Sequence, residues 1–187
     1  MKDILQKPKR ERKKYIPILF QDLFLDVWED LQGWKNITGQ TAQPDSGYIG
    51  QHIASLITGI EGEGYKGKGN DLSDGSEVKT ASTLSSTDRP RWNHRIVSDQ
   101  DVEDWLDQPN IIYILIDKNT NDNIRLRVWV VDTASDDQYS QVVRDWHDEG
   151  YSSNNFQLHP PIGSPSDTAR NDVGNVDLDR EYELVIS

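Results

Sequence analysis

The sequence has no cysteine, a single methionine and a shortage of basic residues, and each lack narrows what the chain is. Without cysteine there is neither a disulfide scaffold nor a thiolate zinc centre, which fits a reducing compartment. A membrane-spanning helix needs roughly 20 predominantly apolar residues, and no such stretch occurs. The first residues also lack the apolar core of a signal peptide, so a soluble, cytoplasmic protein is expected. Twenty Lys and Arg face 32 Asp and Glu, for a net charge of −12. That surplus argues against a nucleic-acid partner only if it is evenly spread. It is not. Residues 1–14 hold seven Lys/Arg against two acids, a local +5 that leaves −17 for the remainder. Salt at ~0.1 M screens charge beyond roughly 10 Å, so a locally basic cleft can still serve a polyanion.

Composition divides the chain simply. Residues 1–14, with "KPKRERKK", read as a basic flexible arm; residues 15–187 read as one domain, because 34% hydrophobic content supports a single core. Phe20, Leu23, Phe24, Val27, Trp28, Leu31 and Trp34 recur at helical spacing after Pro17 and predict a core-facing helix, ended by Gly33 and the polar stretch after Ile37. A second helix is predicted from about 47 to 59, with Ile49, Ile53, Leu56, Ile57 and Ile60 in one stripe. Residues 83–99 read as a loop broken by Pro90, and Ser98 caps a short helix running through Trp105. "NIIYILI" is the continuous apolar run of a central strand buried on both faces, and "NIRLRVWVV" alternates as its neighbour. Ser135 is the expected cap of a third helix, and "EYELVIS" the last strand. The order implies an α/β fold with a small mixed β-sheet flanked by helices.

The chemistry concentrates in "NDLSDGSEVKTAS", residues 70–82. In a strand, Glu77 and Lys79 project from one face and Val78 from the other. Asp74-Gly75 as a two-residue turn would set Asp71 opposite Val78. A three-residue loop with Gly75 left-handed instead sets Asp71 opposite Glu77, near enough for both carboxylates to share a hard cation. Mg²⁺ takes one or two protein carboxylates and keeps its other positions for water and phosphate oxygens. A surface Glu–Lys pair with no function is the bland alternative, worth under ~1 kcal/mol. The glycine-rich "GYKGKGN" directly ahead of Asp71 favours the functional one, since its backbone can approach a phosphate closely.

Taken together, "GYIGQHIASLITGIEGEGYKGKGNDLSDGSEVKTAS" resembles the core of PD-(D/E)xK nucleases, especially the MutH-like branch. "PRWNH", "RVWVVD" and "NNFQLHPP" resemble type II restriction endonucleases of the MamI kind. The resemblance covers roughly 46–163 and is firmest over 47–82. It implies a restriction-endonuclease-like core, with Asp71 and Glu77 as metal ligands and Lys79 as the catalytic lysine. The helix glutamate of the MutH-like pattern is replaced by Ala54, leaving Gln51 or Glu61 to stand in; Asn70 replaces the proline, and the interval to ExK is one residue shorter.

Candidate DNA contacts follow. Lys66 and Lys68 lie in the glycine-rich loop. Arg89, Arg91, Trp92, Asn93 and His94 mix cations with an aromatic, which suits phosphate contact and stacking, although Trp92 packed on the core is an equal alternative. Asn154, Asn155 and Gln157 carry amides that read adenine edges. The four histidines show no zinc-site spacing. The implied protein is a Mg²⁺-dependent type II restriction endonuclease acting on double-stranded DNA as a homodimer, with a cognate DNA methyltransferase as genetic partner. A MutH-like nickase and a non-catalytic acidic DNA mimic are the alternatives.

Overall fold

The apolar run at 111–116 becomes the central strand of the main sheet, and the rest of the fold is arranged around it. The computed structural model describes residues 2–40, 44–64, 70–84, 89–150 and 155–187. Its helices are α1 (Lys9–Lys13), α2 (Ile16–Phe20), α3 (Asp26–Thr38), α4 (Ser46–Thr58), α5 (Asp99–Leu106) and α6 (Asp137–Asp148). Its strands are β1 (Glu77–Ser82), β2 (Trp92–Arg95), β3 (Ile111–Lys118), β4 (Ile124–Val131), β5 (Asn155–Leu158), β6 (Thr168–Arg170), β7 (Asn175–Asp177) and β8 (Arg180–Ile186). The main sheet runs β1-β3-β4-β8, parallel at β1–β3 and antiparallel elsewhere; β2–β5 and β6–β7 are separate antiparallel ribbons. This is the α/β architecture with a small mixed sheet that the sequence implies. Among the described residues no helix is long and apolar enough to cross a membrane.

Alternation along β3 feeds two cores. Ile112, Ile114 and Ile116 meet Ile49, Ile53 and Ile57 of α4, while Tyr113 and Leu115 meet Trp129, Tyr139 and the ribbon residues Trp92, Phe156 and Leu158. Each fully buried aliphatic side chain contributes about 1.5–3 kcal/mol. Asp45 caps α4 through Gly47 N–H, and Gly59 closes it in the left-handed conformation at φ 84°. Helix α4 approaches the sheet closely at Gly50, where an added Cβ would lie 1.9 Å from Thr80 Oγ1. Gly50→Ala is therefore expected to cost about 1–3 kcal/mol by overpacking, read as a lower melting temperature. A variant melting like the wild type would show that helix and strand are not in this contact.

Four expectations need correction. The basic arm is docked, not free. Arg12 is buried, with Nε donating to Leu56 O at 2.9 Å and Nη2 to Ile57 O at 3.1 Å, so it satisfies the open carbonyls at the end of α4. Lys9 and Lys13 both pair with Glu181. The aromatic helix is the second. From Ile16 it runs through a π-helical turn at Gln21–Leu25 into α3 and past Gly33. Phe20 and Phe24 are buried, but no residue of α3 is, and Trp34 and Ile37 are 64% and 75% exposed. Third, the segment read as a loop contains β2, whose partner β5 lies far along the chain. Helix α6 is capped by Asp136, one residue beyond the expected Ser135.

Candidate active site

Strand β1 is an edge strand, so one side of its backbone faces β3 and the other needs a partner from elsewhere. Glu77 N–H turns inward to Asn110 O at 3.0 Å. Val78 N–H turns outward and is met by the carboxylate of Asp71, whose Oδ2 accepts it at 2.9 Å. The loop before it has the expected three-residue form. Gly75 is left-handed at φ 94°, Gly75 N–H donates to Leu72 O at 3.0 Å, and Leu72 N–H donates to Ser76 O at 3.1 Å. The pairing does not extend into a hairpin. Residues 70–72 instead lie along 61–63, through a Gly62–Leu72 bridge and Ser73 N–H to Glu61 O at 2.9 Å. Asp71 thus reaches β1 by its side chain, not by a strand ladder.

Helix α4 brings the next group. Gln51 follows Gly50, which packs against Thr80 of β1, and its Nε2 donates to Asp71 Oδ1. Lys79 Nζ lies 2.5 Å from Glu77 Oε1, with the two side chains 24% and 14% exposed. The Lys79 ammonium also stands 5.5 Å from the centroid of the Trp105 ring, within cation–π reach. Burial raises the pKa of Glu77; the charge of Lys79 opposes the rise, and that of Asp71 adds to it. Gln51, Asp71, Glu77 and Lys79 therefore form one linked group. Asp74 is turned away from it, since both its carboxylate oxygens are taken by Ser76, from N–H at 3.0 Å and Oγ–H at 2.9 Å. Glu61 is exposed and lines an adjoining groove, beside Ile4 and Leu5, that shares His52 and Ser55 with the cleft at Asp71. Beside Asp71 and Gln51 opens a cleft of about 630 Å³ that Tyr48, His52 and Ser55 also line.

Beneath Lys79 lies a buried polar chain that no sequence motif announced. His94 Nε2 and Tyr113 Oη are 3.0 Å apart, Tyr113 Oη and Tyr139 Oη 2.8 Å, and Trp105 Nε1 donates to Tyr139 Oη at 2.6 Å. Burial, and then the charge of Lys79, hold the His94 pKa well below its usual range.

The DNA-contact candidates separate by strand phase. Trp92 is inside, donating Nε1–H to Ile114 O at 3.0 Å, and His94 is 1% exposed. Neither side chain has surface to offer a phosphate or a base, which corrects the expectation for both. Asn93 points outward and is paired with Gln157 on β5, while Arg95 is paired with Asn155. Two antiparallel strands thereby present Asn93, Arg95, Asn155 and Gln157 together. Arg89 and Arg91 lie exposed just before β2. Lys66, Lys68 and Asn154 fall outside the described residues. The alternation in "RWNHR" was the one signal that could have revealed this ribbon.

Among the described residues, no group of three or more His, Asp or Glu side chains gathers as a metal site. The donor set beside Lys79 is the two carboxylates of Asp71 and Glu77. Both are hard oxygen donors, and Glu77 Oε2 accepts no hydrogen bond among the described residues. Such a pair fits Mg²⁺.

The family model described as MamI restriction endonuclease matches residues 33–185. The type II restriction enzyme MamI of Microbacterium ammoniaphilum is 40% identical over 185 aligned residues, covering 86% of this chain and 59% of that protein. The chain therefore spans less than two thirds of that relative's length. No solved structure matches it significantly.

Proposed function

The chain belongs to the MamI restriction endonuclease family, and from that premise we propose that it forms the nuclease core of a Mg²⁺-dependent type II restriction endonuclease. The observation that carries this reading is the linkage of Gln51, Asp71, Glu77 and Lys79 at the free edge of β1. In the reaction, a water oxygen bonds to phosphorus and the bond to one deoxyribose oxygen breaks, with no covalent enzyme intermediate. Asp71 and Glu77 would hold the metal. When bound, Mg²⁺ supplies Lewis-acid polarisation of the phosphate and a lower pKa for water. Lys79 stands beside that position and places positive charge where the phosphate gains negative charge in the transition state. Gln51, on the helix that carries Ala54 where the MutH-like pattern has its glutamate, fixes the orientation of Asp71.

Substrate recognition falls to the β2–β5 ribbon. A two-stranded antiparallel ribbon fits the major groove of DNA, and its outward amides suit base edges there. Cleavage of both strands at a symmetric site favours a homodimer with one active site per strand. A cognate methyltransferase would protect the host's own sites.

Supercoiled plasmid with and without Mg²⁺ tests the reading. Linear product is expected. Open circles alone would indicate a nickase, and no cleavage would leave the acidic-mimic alternative. The same assay separates the two aspartates. Asp71→Asn is expected to slow cleavage by roughly 10²–10³-fold. Asp74→Asn preserves the turn chemistry and should stay largely active. The reverse result would assign the metal to Asp74.

A further inference from the structure

A second polar cleft, of about 420 Å³, lies beyond the end of β5 and is lined by Arg89, His159, Ser164, Ser166, Arg170 and Asn175 among others. Its walls are firmly built. His159 and Arg170 exchange both backbone hydrogen bonds, at 2.7 and 2.9 Å, and Arg170 is paired with Asn175 across β6–β7. The loop carrying Ser164 and Ser166 is held from below by the buried Arg127. Its Nη1 donates to Ser164 O at 3.1 Å and Ser166 O at 2.9 Å, and its Nη2 to Pro161 O at 2.5 Å. The floor is thus fixed by a guanidinium spent on backbone, and the rim is left to other cations.

The rim cations have no carboxylate partner, a condition they share with Arg10, Arg91 and Arg95 among the described residues. Arg125, Arg127, Arg144 and Arg180 each pair with a carboxylate. Arg89 and Arg170 have no ion pair and no side-chain hydrogen bond among the described residues. Two of the acids nearby are otherwise engaged: Asp167 holds Arg180 and Trp129 Nε1, and Asp177 accepts from Thr168 Oγ1. Asp172 acts on the His159 ring, where its attraction is outweighed by burial and by the repulsion of Arg89. The Ser164 and Ser166 hydroxyls accept backbone N–H groups from Ser166 and Thr168, leaving their own protons free to donate. Two unpaired guanidiniums and two hydroxyl donors in one concavity describe a receptor for a phosphate anion.

Position selects which phosphate. The cleft adjoins His159, the residue directly after β5, so it lies at one end of the ribbon that carries Asn93 and Gln157. Four strand residues span roughly 13 Å, about the width of the major groove. A ribbon seated in that groove brings its end to the sugar–phosphate margin. We propose that the Arg89–His159–Arg170 cleft holds a backbone phosphate of the bound DNA, at the groove edge beside the bases the ribbon faces and separate from the scissile phosphate at Lys79.

The inference rests on DNA being the substrate, and its test separates the two claims. Duplex binding without divalent metal is measured against salt concentration for the wild-type protein, Arg170→Gln, Arg170→Lys and Gln157→Ala, on two unrelated duplexes. Each phosphate contact contributes about 0.9 to the slope of log K against log salt. Arg170→Gln is expected to lower the slope by about 1 on both duplexes equally. Arg170→Lys, which keeps the charge, should retain most of it, and Gln157→Ala should leave the slope unchanged. DNA binding with an unaltered slope in Arg170→Gln overturns the cleft proposal alone. A loss confined to one sequence overturns it by making Arg170 a base reader. Inorganic phosphate that raises the melting temperature of the wild type but not of Arg170→Gln, with the DNA slope unaltered, assigns the cleft to a free anion and overturns it likewise. A wild-type protein that binds no duplex overturns both this proposal and the nuclease reading.

Discussion

Glu77→Gln is expected to slow DNA cleavage by roughly 10³-fold or more while leaving the folded protein at least as stable as the wild type. Both halves come from the same local physics. The Glu77 side chain is 14% exposed, and its pKa is raised above the ordinary 4.5, first by burial. Lys79 at 2.5 Å opposes the rise without cancelling it, and Asp71 adds to it. A carboxyl group with a raised folded pKa holds its proton more tightly in the folded state than in the unfolded one. Below about pH 4.5 both states are protonated and the group contributes nothing; stability falls as pH climbs through the window above 4.5, and the cost is complete above the raised value. Glutamine has no charge to desolvate. In metal-free buffer the variant should melt with the wild type at acid pH and above it at neutral pH. If it melts lower at neutral pH, the Lys79 ion pair outweighs burial and Glu77 is structural. Retained cleavage in single-turnover assays would remove it from the chemistry.

This half-buried carboxylate was legible from "GSEVK", because period-2 alternation and a left-handed glycine are local properties of the chain. Asp71 was legible as a neighbour of Glu77 but not by its route. A sequence cannot show that a side chain will stand in for a missing strand, as the Asp71 carboxylate does for Val78 N–H. The same limit explains the larger misses. Periodicity tells which face of a helix is apolar, not whether anything covers it, so the seam through Phe20 and Phe24 reads as core all the way to Trp34, which lies in solvent. A run of cations reads as solvated because nothing local reveals that Arg12 folds onto a helix end 44 residues away. Strand β2 is short, follows Pro90, and draws its stability from β5 and from Trp92 and His94 going inward. Its pairing is wholly nonlocal. Functional residues on such an element carry the right chemistry in the sequence, yet only the strand phase says which of them face out.

The most damaging single change to the fold should be Asp117→Ala. Asp117 is fully buried in the last turn of pleat of β3, opposite Arg125 and diagonal to Arg127. Its Oδ1 accepts from Arg125 Nε at 3.1 Å; its Oδ2 accepts from Arg125 Nη2 at 2.9 Å, Arg127 Nη2 at 3.2 Å and Gly163 N–H at 2.8 Å. One carboxylate thereby compensates two guanidiniums that are 4% and 0% exposed. Burial pulls the Arg127 pKa down and Asp117 holds it up, but a guanidinium does not give up its proton in a protein, so the charge stays. Removing the acid takes the one ion-pair partner of Arg127 and leaves Arg125 only the longer 4.0 Å contact with Glu183, at about 3–5 kcal/mol, which is a fall in melting temperature of roughly 10 °C for a domain of this size. The triple replacement Asp117→Leu, Arg125→Met and Arg127→Met removes every charge together and should recover most of that loss, because packed apolar groups can replace a buried ion network. It cannot restore the three carbonyl contacts that Arg127 makes with Pro161, Ser164 and Ser166. The triple variant should therefore melt between Asp117→Ala and the wild type and bind duplex DNA with a reduced salt slope, as is expected of Arg170→Gln, since the loop lining the Arg89–His159–Arg170 cleft has lost its anchor. Wild-type melting in Asp117→Ala would mean that water reaches the guanidiniums and that the cluster is no core element at all.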